Sequence, residues 1–176
     1  MWLDEIEDGE LRQVKNIANL FCAFHHIAVM PDAHQGFGMP IGGVLATMGE
    51  VVPNAVGVDV GCGMIAVRSS LQEVERERLN RVIAGIKRRI PLGFKHHTHP
   101  QPWEGFDRAP DVAVVRQELD SARYQLGSLG GGNHFIEIQQ GGDGYIWLML
   151  HSGSRNFGYT IAREFDKTAR RQTEKR

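Results

Sequence analysis

Cysteine is almost missing from this chain: Cys22 and Cys62 are the only two in 176 residues. Two thiols make no disulfide framework, so a reducing, cytoplasmic setting is the expectation. No stretch approaches the ~20 consecutive apolar residues of a membrane-spanning helix. The opening Met1-Trp2-Leu3-Asp4-Glu5 is acidic and has no apolar run, so it does not read as a secretory signal. Excess charge is lacking too. Lys and Arg number 20 against 21 Asp and Glu, a formal net charge of −1. That excludes a molecule that attracts nucleic acid with its whole surface; any such binding needs a local patch. Internal repeats, low-complexity tracts and a clear linker are absent as well, so residues 1–176 read as a single domain. A 41% hydrophobic and 23% charged composition is that of an ordinary globular protein with a real core.

Hydrophobic periodicity lays out the elements. Leu11, Val14, Ile17, Ala18 and Phe21 recur at helical spacing and predict a helix from about Gly9 to Ala23, with Cys22 in its core-facing end. His26–Met30 is a short apolar run stopped by Pro31 and predicts a buried strand. Asp32-Ala33-His34-Gln35-Gly36-Phe37-Gly38 then reads as a polar loop. Two more buried strands are expected near Gly42–Thr47 and Ile65–Ser69. Ser70 and Glu73 have capping-box spacing and predict a helix through Ile90, stopped by Pro91. Its terminal Lys87, Arg88 and Arg89 suit a solvated helix end. The Leu92–Pro110 stretch reads as a surface loop, because His96, His97 and His99 have no rigid element to fix their rings. Asp111 is expected to cap a further helix ending near Gly127.

Gly57-Val58-Asp59-Val60-Gly61-Cys62-Gly63 carries the first chemistry. Glycines let a bend aim Asp59 and Cys62 at one point, and a carboxylate with a thiol suits zinc, manganese or cobalt. A buried structural cysteine is the plainer alternative. Further along, the runs Gly130–Ile138 and Tyr145–His151 lie on either side of a Gly141–Gly144 turn, the pattern of a central β-hairpin. If Gln140 faces Tyr145, His134 stands directly opposite His151, with Cβ atoms roughly 4.5–5.5 Å apart. That alternation would put Ile136, Ile138, Trp147 and Met149 beside the two rings. A β-bulge would break this register. Ser152-Gly153-Ser154-Arg155, leading into a helix from about Tyr159, resembles a phosphate cradle, although Ser-Gly loops are common. Lys167–Arg176 is polar and mostly basic.

Asp59, Cys62, His134 and His151 are thus candidate ligands, either four for one ion or most of the set for two ions bridged by the thiolate. Two ions roughly 3.5–4 Å apart clamp the attacking and leaving oxygens in phosphoryl chemistry, which makes phosphate chemistry the leading class.

Four motifs, Met30-Pro31-Asp32-Ala33-His34, Gly57–Gly63, Gly132-Asn133-His134-Phe135-Ile136-Glu137 and His151-Ser152-Gly153-Ser154-Arg155, resemble in order those of the RtcB family. These RNA-splicing ligases join an RNA 3′-phosphate, or 2′,3′-cyclic phosphate, to a 5′-hydroxyl, and the motifs span nearly the whole chain. The resemblance implies an α+β fold with mixed or antiparallel sheets and flanking helices, truncated relative to the family. It implies two Mn²⁺ ions with Cys62 bridging, Asp59 and His134 on one, and His151 on the other. It also implies GTP as cofactor, with Asn133, His134, Phe135, Ile136, Glu137 and Arg155 at the nucleotide. Asp32 and His34 would handle the RNA end or phosphate. Implied partners are RNA (tRNA halves or broken ends), an archease-like activator and the remaining half of the ligase, with no membrane. In the family a histidine is guanylylated and passes the guanylate to the RNA 3′-phosphate. The family's chain continues beyond the fourth motif, and no histidine follows His151 here.

Two readings follow: the metal- and GTP-binding half of a ligase, or a metal-loaded remnant that binds nucleotide or RNA ends without turnover. A third is a plain α+β domain with structural histidines.

Overall fold

Val29 is wholly buried and Ile17 and Cys22 are nearly so; burying an aliphatic side chain such as Val29 or Ile17 is worth about 1.5–3 kcal/mol. These residues come from α1 (Asp8–Ala18) and from β1 (Ala23–His34) and its approach. The computed structural model describes residues 2–58 and 60–174. It divides into two units, residues 1–57 with 165–176, and residues 58–164.

In the first unit α1 carries Asp8 and Glu10 in its first turn and Lys15 in its last, complementing the helix dipole. It stops at Asn19 rather than running on to Ala23, because Ala23 already pairs with Thr47 in the sheet. β1 pairs antiparallel with β2 (Ile41–Thr47). The strand does not end at Pro31 but continues to His34, so Asp32 and His34 lie on β1 instead of in a loop. Proline has no N–H to donate, and the pairing shifts between Val29 and His34 to pass it. A Cβ at Gly42 (φ +76°) would lie 2.9 Å from Ala33 Cα, so this crossing needs glycine. α2 (Pro53–Val56) is a single turn.

In the second unit β3 (Gly63–Arg68), β5 (Ile146–Ser152) and β4 (Phe135–Gln140) form an antiparallel sheet in the order β3-β5-β4. The hairpin is present, with β5 central and β4 on one edge. β3 was expected to be buried, yet all six of its residues are exposed. Among the described residues it is an edge strand, paired with β5 alone.

The hairpin register differs from expectation by one residue: Gln140 faces Ile146, and Phe135, not His134, faces His151. The connection is five residues long, with Gly141 N–H donating to the Tyr145 carbonyl and Gly144 at φ +80°. One extra loop residue moves every side chain to the other face. Phe135, Glu137 and Gln139 therefore pair with His151, Met149 and Trp147, while Ile136 and Ile138 pair with Leu150 and Leu148.

α3 (Arg76–Arg89) begins six residues after Ser70, without a side-chain cap, so the capping box does not form. Ser69 takes the local role, its Oγ accepting from Leu71 N–H. Asp111 likewise pairs with Arg116 instead of capping α4 (Ala113–Gln125). The Leu92–Pro110 stretch is not all loop, because Glu104–Arg108 winds into a 3₁₀ turn under Trp103. α5 (Phe157–Thr173) closes the described chain. The fold is α+β with small antiparallel sheets and flanking helices, as the sequence implied. No described helix is long and apolar enough to cross a membrane.

Candidate metal centre

Antiparallel pairing on both sides of β5 puts the starts of β3 and β4 beside its end: Gly63 faces Ser152 and Phe135 faces His151. Cys62 immediately precedes β3, His134 immediately precedes β4, and His151 is the penultimate residue of β5. Three residues far apart in sequence are thereby delivered to one end of one sheet. A ligand atom from each lies within 4.8 Å of the other two. The two imidazole rings are 5.0 Å apart, edge to face, so they meet although their residues do not face each other in the ladder.

Backbone carbonyls set the ring orientations. His134 Nδ1–H donates to the Gly131 carbonyl, and His151 Nδ1–H to the Asn133 carbonyl at 3.1 Å. A carbonyl can only accept, so each bond places the proton on Nδ1 and leaves Nε2 as the lone-pair atom. The Cys62 thiol points at His134 Nε2, 3.4 Å away. All three side chains are part-buried. The loop before β4 is anchored by Leu129 N–H to the Pro91 carbonyl and Gly93 N–H to the Gly130 carbonyl. Phe135 packs edge-on against His151 at 5.7 Å.

Asp59 lies outside the described residues. Arg155 (φ +56°) turns its guanidinium to the carbonyls of Gly93 and Lys95, at 2.7 and 3.1 Å. Burial lowers its pKa from the usual guanidinium value, and its Nε is buried without a hydrogen-bond partner among the described residues. Ser152 Oγ–H is spent on the Gly63 carbonyl. A mainly apolar cavity of about 760 Å³ lies in the same unit, bounded by Phe106, Leu119, Leu129 and Phe157. Of the residues assigned to the nucleotide, only Ile136 and Arg155 line it. Asn133 and Glu137 are exposed. His96 and His99 are exposed in the segment before the 3₁₀ turn.

Asp32 and His34 belong to the first unit, both exposed, with His34 Nδ1–H donating to the Asp32 carbonyl at 2.9 Å. The loop that follows them is clamped by Gln13, which donates to the Gly36 carbonyl at 2.8 Å and accepts from Gly36 N–H at 3.0 Å. Asn54 holds the Phe37 carbonyl at 3.1 Å. Neither Gln13 nor Asn54 was singled out by sequence reasoning, since an amide on a helix face gives no sign of the backbone it will meet.

The sequence matches the family model described as "tRNA-splicing ligase RtcB" over residues 13–109 and 104–176. Among curated proteins it is 37% identical to the RNA-splicing ligase RtcB of Escherichia coli K12, across 95% of this chain and 45% of that protein. The RNA-splicing ligase RtcB1 of E. coli ATCC 25922 gives the same figures. The tRNA-splicing ligase RtcB of Thermococcus kodakarensis is 29% identical over 90% of this chain and 43% of its own. The chain therefore spans about half the length of the curated relatives it matches. On the segments matched, which together run from residue 13 to residue 176, the chain belongs to the RtcB family.

Proposed function

We propose that this chain supplies the metal-holding part of an RNA ligase. The reaction joins an RNA 3′-phosphate or 2′,3′-cyclic phosphate end to a 5′-hydroxyl, using manganese and GTP. The observation that carries the reading is the convergence of Cys62, His134 and His151 within 4.8 Å in a member of the RtcB family. A thiolate with two imidazoles suits a borderline divalent ion, and both rings are held with Nε2 free to ligate. In this reading Cys62, His134, His151 and Asp59 would together hold the metal, Cys62 through its thiolate and the histidines through Nε2. The bound ions would supply charge neutralisation at the phosphoryl oxygens. A thiolate and neutral imidazoles are the forms in which these residues would ligate. Asn133–Glu137 would contribute to the guanine-nucleotide site. Asp32 and His34 would act on the RNA end, and an archease-like activator would assist in the cytoplasm.

A second reading, a metal-loaded module that binds without turnover, is favoured by the chain's matching only 45% of the length of its E. coli relatives. Incubation with α-³²P-labelled GTP and manganese, of the 176-residue chain alone and mixed with the remaining half of the ligase, separates the two, since label that appears only in the mixture supports the ligase reading. From the chain alone, metal uptake without covalent label is expected if the guanylylated histidine belongs to the other half of the ligase. A covalent guanylate on this chain alone would exclude the module reading.

A further inference from the structure

α3 holds Arg76, Arg78, Arg81, Lys87, Arg88 and Arg89 against a single acid, Glu77, within 14 residues. The chain as a whole carries a formal net charge of −1, so this is a local concentration of positive charge. At 3.6 residues per turn, Arg78, Arg81, Arg88 and Arg89 fall within roughly 100° of arc along ~16 Å of helix. They surround Gly85 in an open concavity of about 550 Å³. Gly85 itself is buried, and a Cβ there would meet Arg89 Nη1 at 3.6 Å, so Arg89 folds back over the bare backbone. Leu79, Ile86 and Ile90 mark the adjoining, part-buried face.

The helix dipole accounts for only part of this. Lys87, Arg88 and Arg89 suit the C-terminal turn, but Arg76 and Arg78 sit at the opposite end, where the dipole disfavours cations. Nor do neighbouring carboxylates neutralise the cluster. Arg68, Arg108, Arg116, Arg123 and Arg170 each pair with an aspartate or glutamate, whereas no arginine of α3 forms an ion pair among the described residues. Four guanidinium groups in a row, unpaired and always charged, present a row of positive charge suited to successive phosphates.

We propose that this face of α3 binds the phosphodiester backbone of RNA and holds a strand without reading its bases. The inference rests on the reading of the chain as part of an RNA ligase, and names the surface that would carry the strand. Binding of a fluorescein-labelled uridine homopolymer to the 176-residue chain, measured by anisotropy across a salt series, tests it. Arg81→Glu/Arg88→Glu is expected to weaken binding at least tenfold. It should also lower the log–log salt slope by about 1 or more, as each phosphate contact on a single strand contributes about 0.7. Arg81→Lys/Arg88→Lys keeps the charge and should bind within threefold of wild type. Arg12→Glu/Lys15→Glu on α1 makes the same charge change and should alter binding less than threefold. Retention of manganese by each variant reads the metal centre separately, so loss of RNA binding with metal kept isolates the α3 face. Absence of RNA binding by the wild type, an unchanged slope in the α3 reversal, or equal weakening in the α1 control would overturn the proposal.

Discussion

Backbone close to the His134 ring leaves no room for a side chain at two glycines. A Cβ at Gly153 would lie 3.0 Å from ring atoms Cε1 and Nδ1 and 2.9 Å from the Leu129 carbonyl; one at Gly130 would lie 3.1 Å from Nδ1. Gly153→Ala is therefore expected to destabilise the chain by about 1–3 kcal/mol, the usual cost of overpacking, and to reduce metal retention. Urea unfolding and metal analysis of the dialysed variant check this. Gly142→Ala, where nothing lies within 4 Å, should change neither. At this scale Cys62, His134 and His151 were legible because residue types that hold metals stood at the edges of strand-like runs. How the rings are pinned was not legible, since the carbonyls of Gly131 and Asn133 carry no side-chain signature. Ser70 and Asp111 misled for the converse reason: capping requires a backbone conformation that spacing alone does not reveal.

The β4–β5 hairpin is governed by its connection. Asp143 Oδ1 accepts from the Trp147 indole N–H at 3.0 Å and from Tyr145 N–H at 3.1 Å, and Arg68 lies 3.7 Å from its carboxylate. The indole bond above all, then the Tyr145 N–H and the Arg68 charge, hold the Asp143 carboxyl below its usual pKa, against the opposing pull of burial. A depressed carboxyl stabilises the fold above the unfolded value of about 3.9, and that contribution disappears as pH falls through the lowered folded value. The turn should accordingly hold firm at neutral pH and loosen only in more acidic solution. Asp143→Ala is expected to speed amide exchange at Tyr145 and Trp147 severalfold at neutral pH. Asp143→Asn, which keeps an acceptor oxygen, should show a smaller effect. Unchanged exchange in the alanine variant would remove Asp143 from the account of the turn. The hairpin itself was legible from two β-rich runs across Gly141–Gly144. Its register was not, because the fifth loop residue, Tyr145, is as strand-like as its neighbours and only the Gly141–Tyr145 hydrogen bond assigns it to the turn.

For the molecule as a whole, the α+β class is the one the family resemblance implied, and antiparallel pairing on both sides of β5 delivers three candidate ligands to one sheet end. Exposure escaped sequence reasoning. β3 is as apolar as a buried strand, yet Met64, Ile65 and Val67 are 49–56% exposed, because apolar patterning records what a strand can bury and not what covers it. The chain spans about half of its relatives, and metal binding at the candidate centre is the proposal that can be tested on it alone. Manganese at about a hundredfold excess over its Kd should stabilise the fold by about 2.7 kcal/mol if it binds only the native state. Metal content after exhaustive dialysis reads the centre most directly: manganese-loaded wild type is expected to keep stoichiometric metal and Cys62→Ala to lose it. A wild-type chain that emerges metal-free, or a Cys62→Ala chain that keeps as much metal, would contradict the account.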